Sequence, residues 1–96
     1  MNREEYMAAI IPAMKLAVRK HEDYNTGVKL DDYFPFGNFS YIQMLHVKIM
    51  RLRSLVTLPE GTKPNFENLI DTVDDLINYS VYYRKHLMER ENDTPL

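Results

Sequence analysis

The chain has 96 residues and contains neither cysteine nor tryptophan. Without cysteine it can build no disulfide staple, thiolate zinc site or cysteine nucleophile. It also lacks any apolar run near the ~20 residues that span a bilayer, so no transmembrane helix and no membrane partner are expected. The first residues, MNREEYMAAIIP, place two acids ahead of the apolar stretch, unlike a secretory signal. A large net charge is missing too. Twelve Lys plus Arg against 14 Asp plus Glu leave −2, which gives no general pull toward a nucleic-acid duplex or an anionic surface. The 45% apolar and 27% charged content is that of a folded chain rather than a disordered one. A single domain over residues 1–96, at work in the cytoplasm, is the expectation.

What is present is helical periodicity, with no alternating stretch long enough for a sheet. A first segment runs from Asn2 to His21 or Asp23, with Met7, Ile10, Ile11, Met14, Ala17 and Val18 on its apolar face. Asn2 is placed to cap it, and Pro12 predicts a kink or a later start. A second segment, Phe39 to Val56, repeats Ile42, Leu45, Ile49, Leu52 and Val56 as a narrow seam. A third runs from Phe66 to about Glu91, with Asn65 as its cap. Its expected buried face is Leu69, Ile70, Val73, Leu76, Ile77, Ser80, Val81, Leu87 and Met88. Residues 57–65 read as a short connection, 92–96 as a frayed tail, and 23–38 as a long aromatic loop of the kind that often carries function.

Charge is segregated along this chain. Residues 33–59 hold no acid but include His46, Lys48, Arg51 and Arg53. Segment three begins with Glu67, Asp71, Asp74 and Asp75 and has no base before Tyr83. A basic helix is therefore expected beside an acidic one. Asp71, Asp74 and Asp75 lie three and four apart, so they are neighbours on one face. Such carboxylates suit either a Mg²⁺ half-site or a solvated helix start, where acids are favoured anyway. Arg51 and Lys48 suit either phosphate or ion pairs with the acidic helix. His46 suits a proton shuttle or phosphate donor, or simple packing. His21 and His86 fall near helix C-termini, where a cation complements the dipole. Tyr79, Tyr82 and Tyr83 lie off the expected core stripe, which points to an interface. Tyr33, Phe34 and Phe36 suit either stacking on a nucleobase or plugging the end of the bundle.

Two stretches carry a resemblance, FGNFSYIQMLHVKIMRLRSL and PNFENLIDTVDDLINYSVY. They resemble the nucleotide modification associated domain of phage and prophage genomes, a family placed beside the MazG-like all-alpha NTP pyrophosphohydrolases. Glu67, Asp71, Asp75, Leu76, Asn78 and Tyr79 resemble its E-x-x-x-D-T-x-x-D-L-x-N-Y helix. Lys20, Asp23 and Tyr24 resemble its K-x-x-D-Y helix end, and His46, Lys48, Arg51 and Leu52 its basic helix. The likeness covers roughly residues 20–84. It implies Mg²⁺ held by acids of two helices, with nucleotide between helices of an oligomer and water attacking a metal-bridged phosphate. The second-helix acids of the typical E-E-x-x-E motif are missing, and Val47 stands where related sequences often carry Asp. Glu22 and Asp23, or Asp31 and Asp32, are the acids available to substitute.

The resulting expectation is an all-α, three-main-helix antiparallel bundle, MazG-like and assembled as a homo-oligomer, a dimer or larger. Its expected function is to bind a phosphorylated nucleotide or cyclic nucleotide at an inter-helix or inter-subunit pocket. His46, Lys48 and Arg51 would contact phosphate, and Tyr33, Phe34 or Phe36 the base. In a phage this would sequester a host nucleotide immune signal in the bacterial cytoplasm. The rival expectation is a Mg²⁺-dependent nucleotide pyrophosphohydrolase using Glu67, Asp71, Asp74 and Asp75 as metal ligands. A structural protein-interaction module is the third.

Overall fold

A computed structural model describes residues 1–23 and 29–93, without the side chains of Asp23, Asn92 and Asp93. Tyr24 of the K-x-x-D-Y end, the Asp23 side chain and most of the 92–96 tail lie outside what is described. The described residues form three α-helices and one short 3-10 turn, with no strand among them.

Helix α1 spans Arg3–Asp23. Asn2 caps it as expected: its side-chain oxygen accepts the Glu5 N–H at 2.8 Å. The helix begins ahead of Pro12 and runs through it, so the alternative of a later start does not apply. The 3-10 turn Leu30–Tyr33 follows, closed by the Asp32 carboxylate on the Lys29 N–H at 2.9 Å. Gly37 then makes the sharp entry to α2, Asn38–Val56, at φ 58 and ψ −127, a conformation essentially closed to residues with a Cβ. Helix α3 spans Leu69–Asp93. Its cap is Asn68 rather than Asn65. Asn68 accepts the Asp71 N–H at 2.9 Å while Asp71 accepts the Asn68 N–H at 3.3 Å, a reciprocal box that sets the helix start. Phe66, expected in the first turn, lies before the helix and is exposed.

α2 and α3 run antiparallel: Tyr41 meets Tyr83 and His86, Lys48 meets Asp75, and Arg51 meets Glu67. α1 lies against α3 through the small residues Ala13 and Ala17, which are buried. There the buried Asn78 amide donates to the Ala13 carbonyl at 3.0 Å.

The buried faces match the apolar periodicity only in part: Ala17 is buried, and Ile10, Ile11, Leu45, Leu52, Leu76 and Ile77 are half-buried. On α2 the inward line is Tyr41, Met44, Lys48, Arg51 and Leu55, one residue round from the expected seam. Ile42, Ile49 and Val56 of that seam are exposed, at 52%, 45% and 67%. On α3 the inward face is Thr72, Asp75, Asn78, Tyr79, Tyr83 and His86, while Leu69, Ile70, Val73 and Val81 face outward. On α1, Met7, Met14 and Val18 are exposed as well. Most inward polar groups meet partners there, Lys48 on Asp75 and Glu67, Asn78 on the Ala13 carbonyl and His86 Nδ1 on Asp31, which compensates their burial.

A folded monomer of 11.4 kDa exposes roughly 5,800 Å². This chain exposes 7998 Å², about 2,200 Å² above that value. Its radius of gyration of 15.8 Å likewise exceeds the roughly 12.5 Å of a compact domain of this length.

Candidate functional site

Three connected features lie between the helices. The first is a charge centre. Lys48, on the inward line of α2, places Nζ 2.8 Å from Asp75 Oδ2 and 3.0 Å from Glu67 Oε1. Arg51, one turn on, donates from Nη2 to the Glu67 main-chain carbonyl at 2.7 Å, with Nε 3.9 Å from Glu67 Oε2. Lys20, near the end of α1, approaches the other oxygen of Asp75 at 3.5 Å. The Thr72 hydroxyl is 2.7 Å from Glu67 Oε2 and 2.8 Å from the Asn68 carbonyl, one proton serving both. The Thr72 bond, followed by the Lys48 ammonium, holds the Glu67 carboxyl down to about 2 against partial burial. Burial works against the charged form of Lys48, but Asp75 and Glu67 outweigh it and raise its pKa.

The second feature is a cleft of about 790 Å³ between the end of α1, the 3-10 turn and α3. Tyr33, Phe34, Tyr79, Tyr82 and His21 wall it, and Lys20, Asp75 and Asn78 give it polar edges. Its volume is within the roughly 300–1,000 Å³ of small-molecule sites. The walls are ordered by ring contacts. Phe34 stacks on Tyr41 at 4.1 Å between centroids and stands edge-on to Tyr79 at 6.0 Å. Tyr79 stands edge-on to Tyr82, which meets His21 of α1. Asp75 and Lys20 belong to both the cleft and the charge centre.

The third feature anchors the cleft wall. Tyr41, fully buried, donates its hydroxyl to Asp31 Oδ1 at 2.5 Å, and His86 Nδ1 lies 3.2 Å from the same oxygen. The Tyr41 bond, then His86, lowers the Asp31 pKa although burial opposes it. Burial, then Asp31, raises the Tyr41 pKa strongly. Asp31 thus ties the turn carrying Tyr33 and Phe34 to both α2 and α3. His86 Nε2 is buried without a hydrogen-bond partner among the described residues.

The structure therefore sorts the residues marked in the sequence. Tyr33 and Phe34 meet at the cleft, where Phe34 is buried and Tyr33 is exposed. Phe36 is exposed and outside the cleft lining, as is His46. Lys48 and Arg51 come together, but around Glu67 and Asp75. Glu67 and Asp75 converge, whereas Asp71 is used in the α3 cap and Asp74 is not part of the centre. Among the described residues no group of three or more His, Cys, Asp or Glu is placed to hold a metal ion. As arranged, the Glu67–Asp75 pair is bridged by the Lys48 ammonium.

Sequence reasoning missed Lys20 as a cleft residue, and His21, Tyr79 and Tyr82 as its walls. Their available signal was the clustering of aromatics at i, i+3 and i+4 on the polar side of α3. It had pointed to an interface; within the protomer these tyrosines meet His21, Phe34 and Tyr41. The basic helix does lie beside the acidic one, and the ion-pair alternative for Lys48 and Arg51 is the one their contacts match. No protein-family model matches the chain, and no curated protein or solved structure was found similar to it.

Proposed function

We propose that the protein binds a phosphorylated nucleotide-type small molecule, with the base in the aromatic cleft, and that it does so as a homo-oligomer. The observation that carries this reading is the cleft itself, whose aromatic walls offer π-faces to a base. Lys20 is the cationic side chain that lines it, with the His21 imidazole beside it. Asn78 and Asp75 supply polar contacts suited to a heterocycle edge. In this reading Lys48 and Arg51 support the site from behind the carboxylates, and Lys20 takes the phosphate role first given to them.

The reading as an oligomer is supported by outward apolar residues such as Ile42, Ile70 and Val81. The resemblance to phage nucleotide modification associated domains adds a setting. There, a small binder with its carboxylate pair already occupied by Lys48 would sequester a host nucleotide signal rather than turn it over.

The test is capture and release. Purified protein is mixed with nucleoside triphosphates, cyclic oligonucleotides and ADP-ribose derivatives, with and without Mg²⁺, and the filtrate is read before and after heating. A compound that disappears and returns unchanged is the expected result, with capture weakened by Tyr79→Ala. Mg²⁺-dependent release of a monophosphate and pyrophosphate would replace binding with pyrophosphohydrolysis. No capture of any compound would leave the interaction-module reading.

A further inference from the structure

Glu67 and Asp75 approach each other closely enough for one cation to touch both, and that cation is part of the chain. Lys48 Nζ lies 3.0 Å from Glu67 Oε1 and 2.8 Å from Asp75 Oδ2. Its side chain is 16% exposed, as is that of Asp75. Half-buried carboxylates facing each other either share a proton or are held charged by a cation between them, from a side chain or a bound ion. The two other cations of the centre are not placed for this. Arg51 gives its closest bond, at 2.7 Å, to a main-chain carbonyl. Lys20 is 47% exposed and approaches only Asp75.

We propose that the Lys48 ammonium occupies the place of a divalent cation between Glu67 and Asp75, so that this centre is locked by lysine and independent of divalent metal. Two carboxylates already face three cations, Lys20, Lys48 and Arg51. A divalent ion would add two further positive charges to a centre that is already over-neutralised. Its oxygen shell at 2.0–2.1 Å is also tighter than the ammonium's hydrogen-bond distances, so the two cannot share the position. The low Glu67 and raised Lys48 pKa values agree with a pair held charged on both sides. Removing Lys48 leaves Lys20 and Arg51 against the two carboxylates and opens the position between Glu67 and Asp75 to a probe cation. Glu67 and Asp75 would supply its carboxylates and water the remaining ligands, the mixed shell that Mg²⁺ and Mn²⁺ accept. This inference does not rest on the nucleotide reading, because it concerns the cation and not the cleft.

The experiment uses the intact chain and Mn²⁺ as probe. Free Mn²⁺ is read by electron paramagnetic resonance, and thermal melting is followed with Mn²⁺, Mg²⁺ or EDTA. The wild-type chain is expected to take up no Mn²⁺ and to melt at the same temperature in all three. Lys48→Ala should melt lower, bind one Mn²⁺ on the order of tenfold or more tighter than wild type, and recover melting temperature with it. Adding Glu67→Gln to Lys48→Ala should abolish both effects. If Lys48→Ala is unfolded alone, Mn²⁺-driven refolding measured by circular dichroism supports the proposal equally. Stoichiometric Mn²⁺ uptake by wild type that Asp75→Asn removes would overturn it. So would a Lys48→Ala chain that neither binds Mn²⁺ nor is refolded by it.

Discussion

Along α3, the side turned toward α1 and α2 carries Thr72, Asp75, Asn78, Tyr79, Tyr83 and His86, whereas the side turned away carries Leu69, Ile70, Val73 and Val81. The inner side is held by directional contacts: Lys48 on Asp75, Asn78 on the Ala13 carbonyl, Tyr83 stacked on Tyr41, and His86 on Asp31. The outer side makes no such bonds and presents aliphatic surface. The difference teaches that burial inside a protomer does not simply follow hydropathy. A polar side chain can be buried when a partner of opposite charge or complementary ring geometry meets it there. An apolar stripe left outside is then available to a second copy.

The largest effect should come from breaking the inner side at its centre. Tyr41 is fully buried and joins Phe34, Tyr83 and Asp31. Tyr41→Ala is expected to cost about 3–5 kcal/mol in denaturant unfolding, as deletion of a core aromatic does. Tyr41→Phe sharpens the comparison by keeping the stack and removing only the hydroxyl bond, for a loss of about 1 kcal/mol.

Next comes the outer side. Ile70→Asp with Val81→Asp should leave the circular dichroism of the helices intact and reduce the assembled size in light scattering. If the double variant instead unfolds while still assembled, the two sides do not have separate roles.

The smallest of these effects is pH-dependent and belongs to the charge centre. Glu67 has a folded pKa of about 2 against an ordinary 4.5. A lowered carboxyl pKa stabilises the fold at pH above the unfolded value, and that stability is lost as pH falls toward the folded one. Acid melting curves should therefore lose stability between about pH 4.5 and 2. Glu67→Gln should be less stable at neutral pH and show a shallower acid slope over that interval.

Much of the fold was legible locally. Asn2 caps α1 because a short side-chain oxygen ahead of a helix reaches the first free N–H groups. Three helices could be read from a 3.6-residue periodicity that needs no partner to be recognised. The start of α3 was missed by three residues. Asn65 and Asn68 are equivalent as isolated caps, and only the reciprocal bond with Asp71 favours Asn68. The candidate site was legible in part. Tyr33 and Phe34 were marked for it, whereas Lys20, His21 and Tyr82 were marked for other roles and not joined to it, because no short spacing links residues 20–21 to residue 82.

The sequence by itself determined the helices, the separation of basic α2 from acidic α3, and an aromatic content too large to be incidental. These follow from neighbouring residues and the period of the backbone. Only the tertiary structure decided which face of each helix turned inward. That choice depends on whether Lys48 finds Glu67 and Asp75, and Tyr41 finds Asp31 and Tyr83, across gaps of 10 to 42 residues. Such pairings have no periodicity to announce them. They turned α2 by one residue from its apolar seam, brought the cleft together behind Asp75, and left Ile42, Ile49 and Val56 of the seam outside.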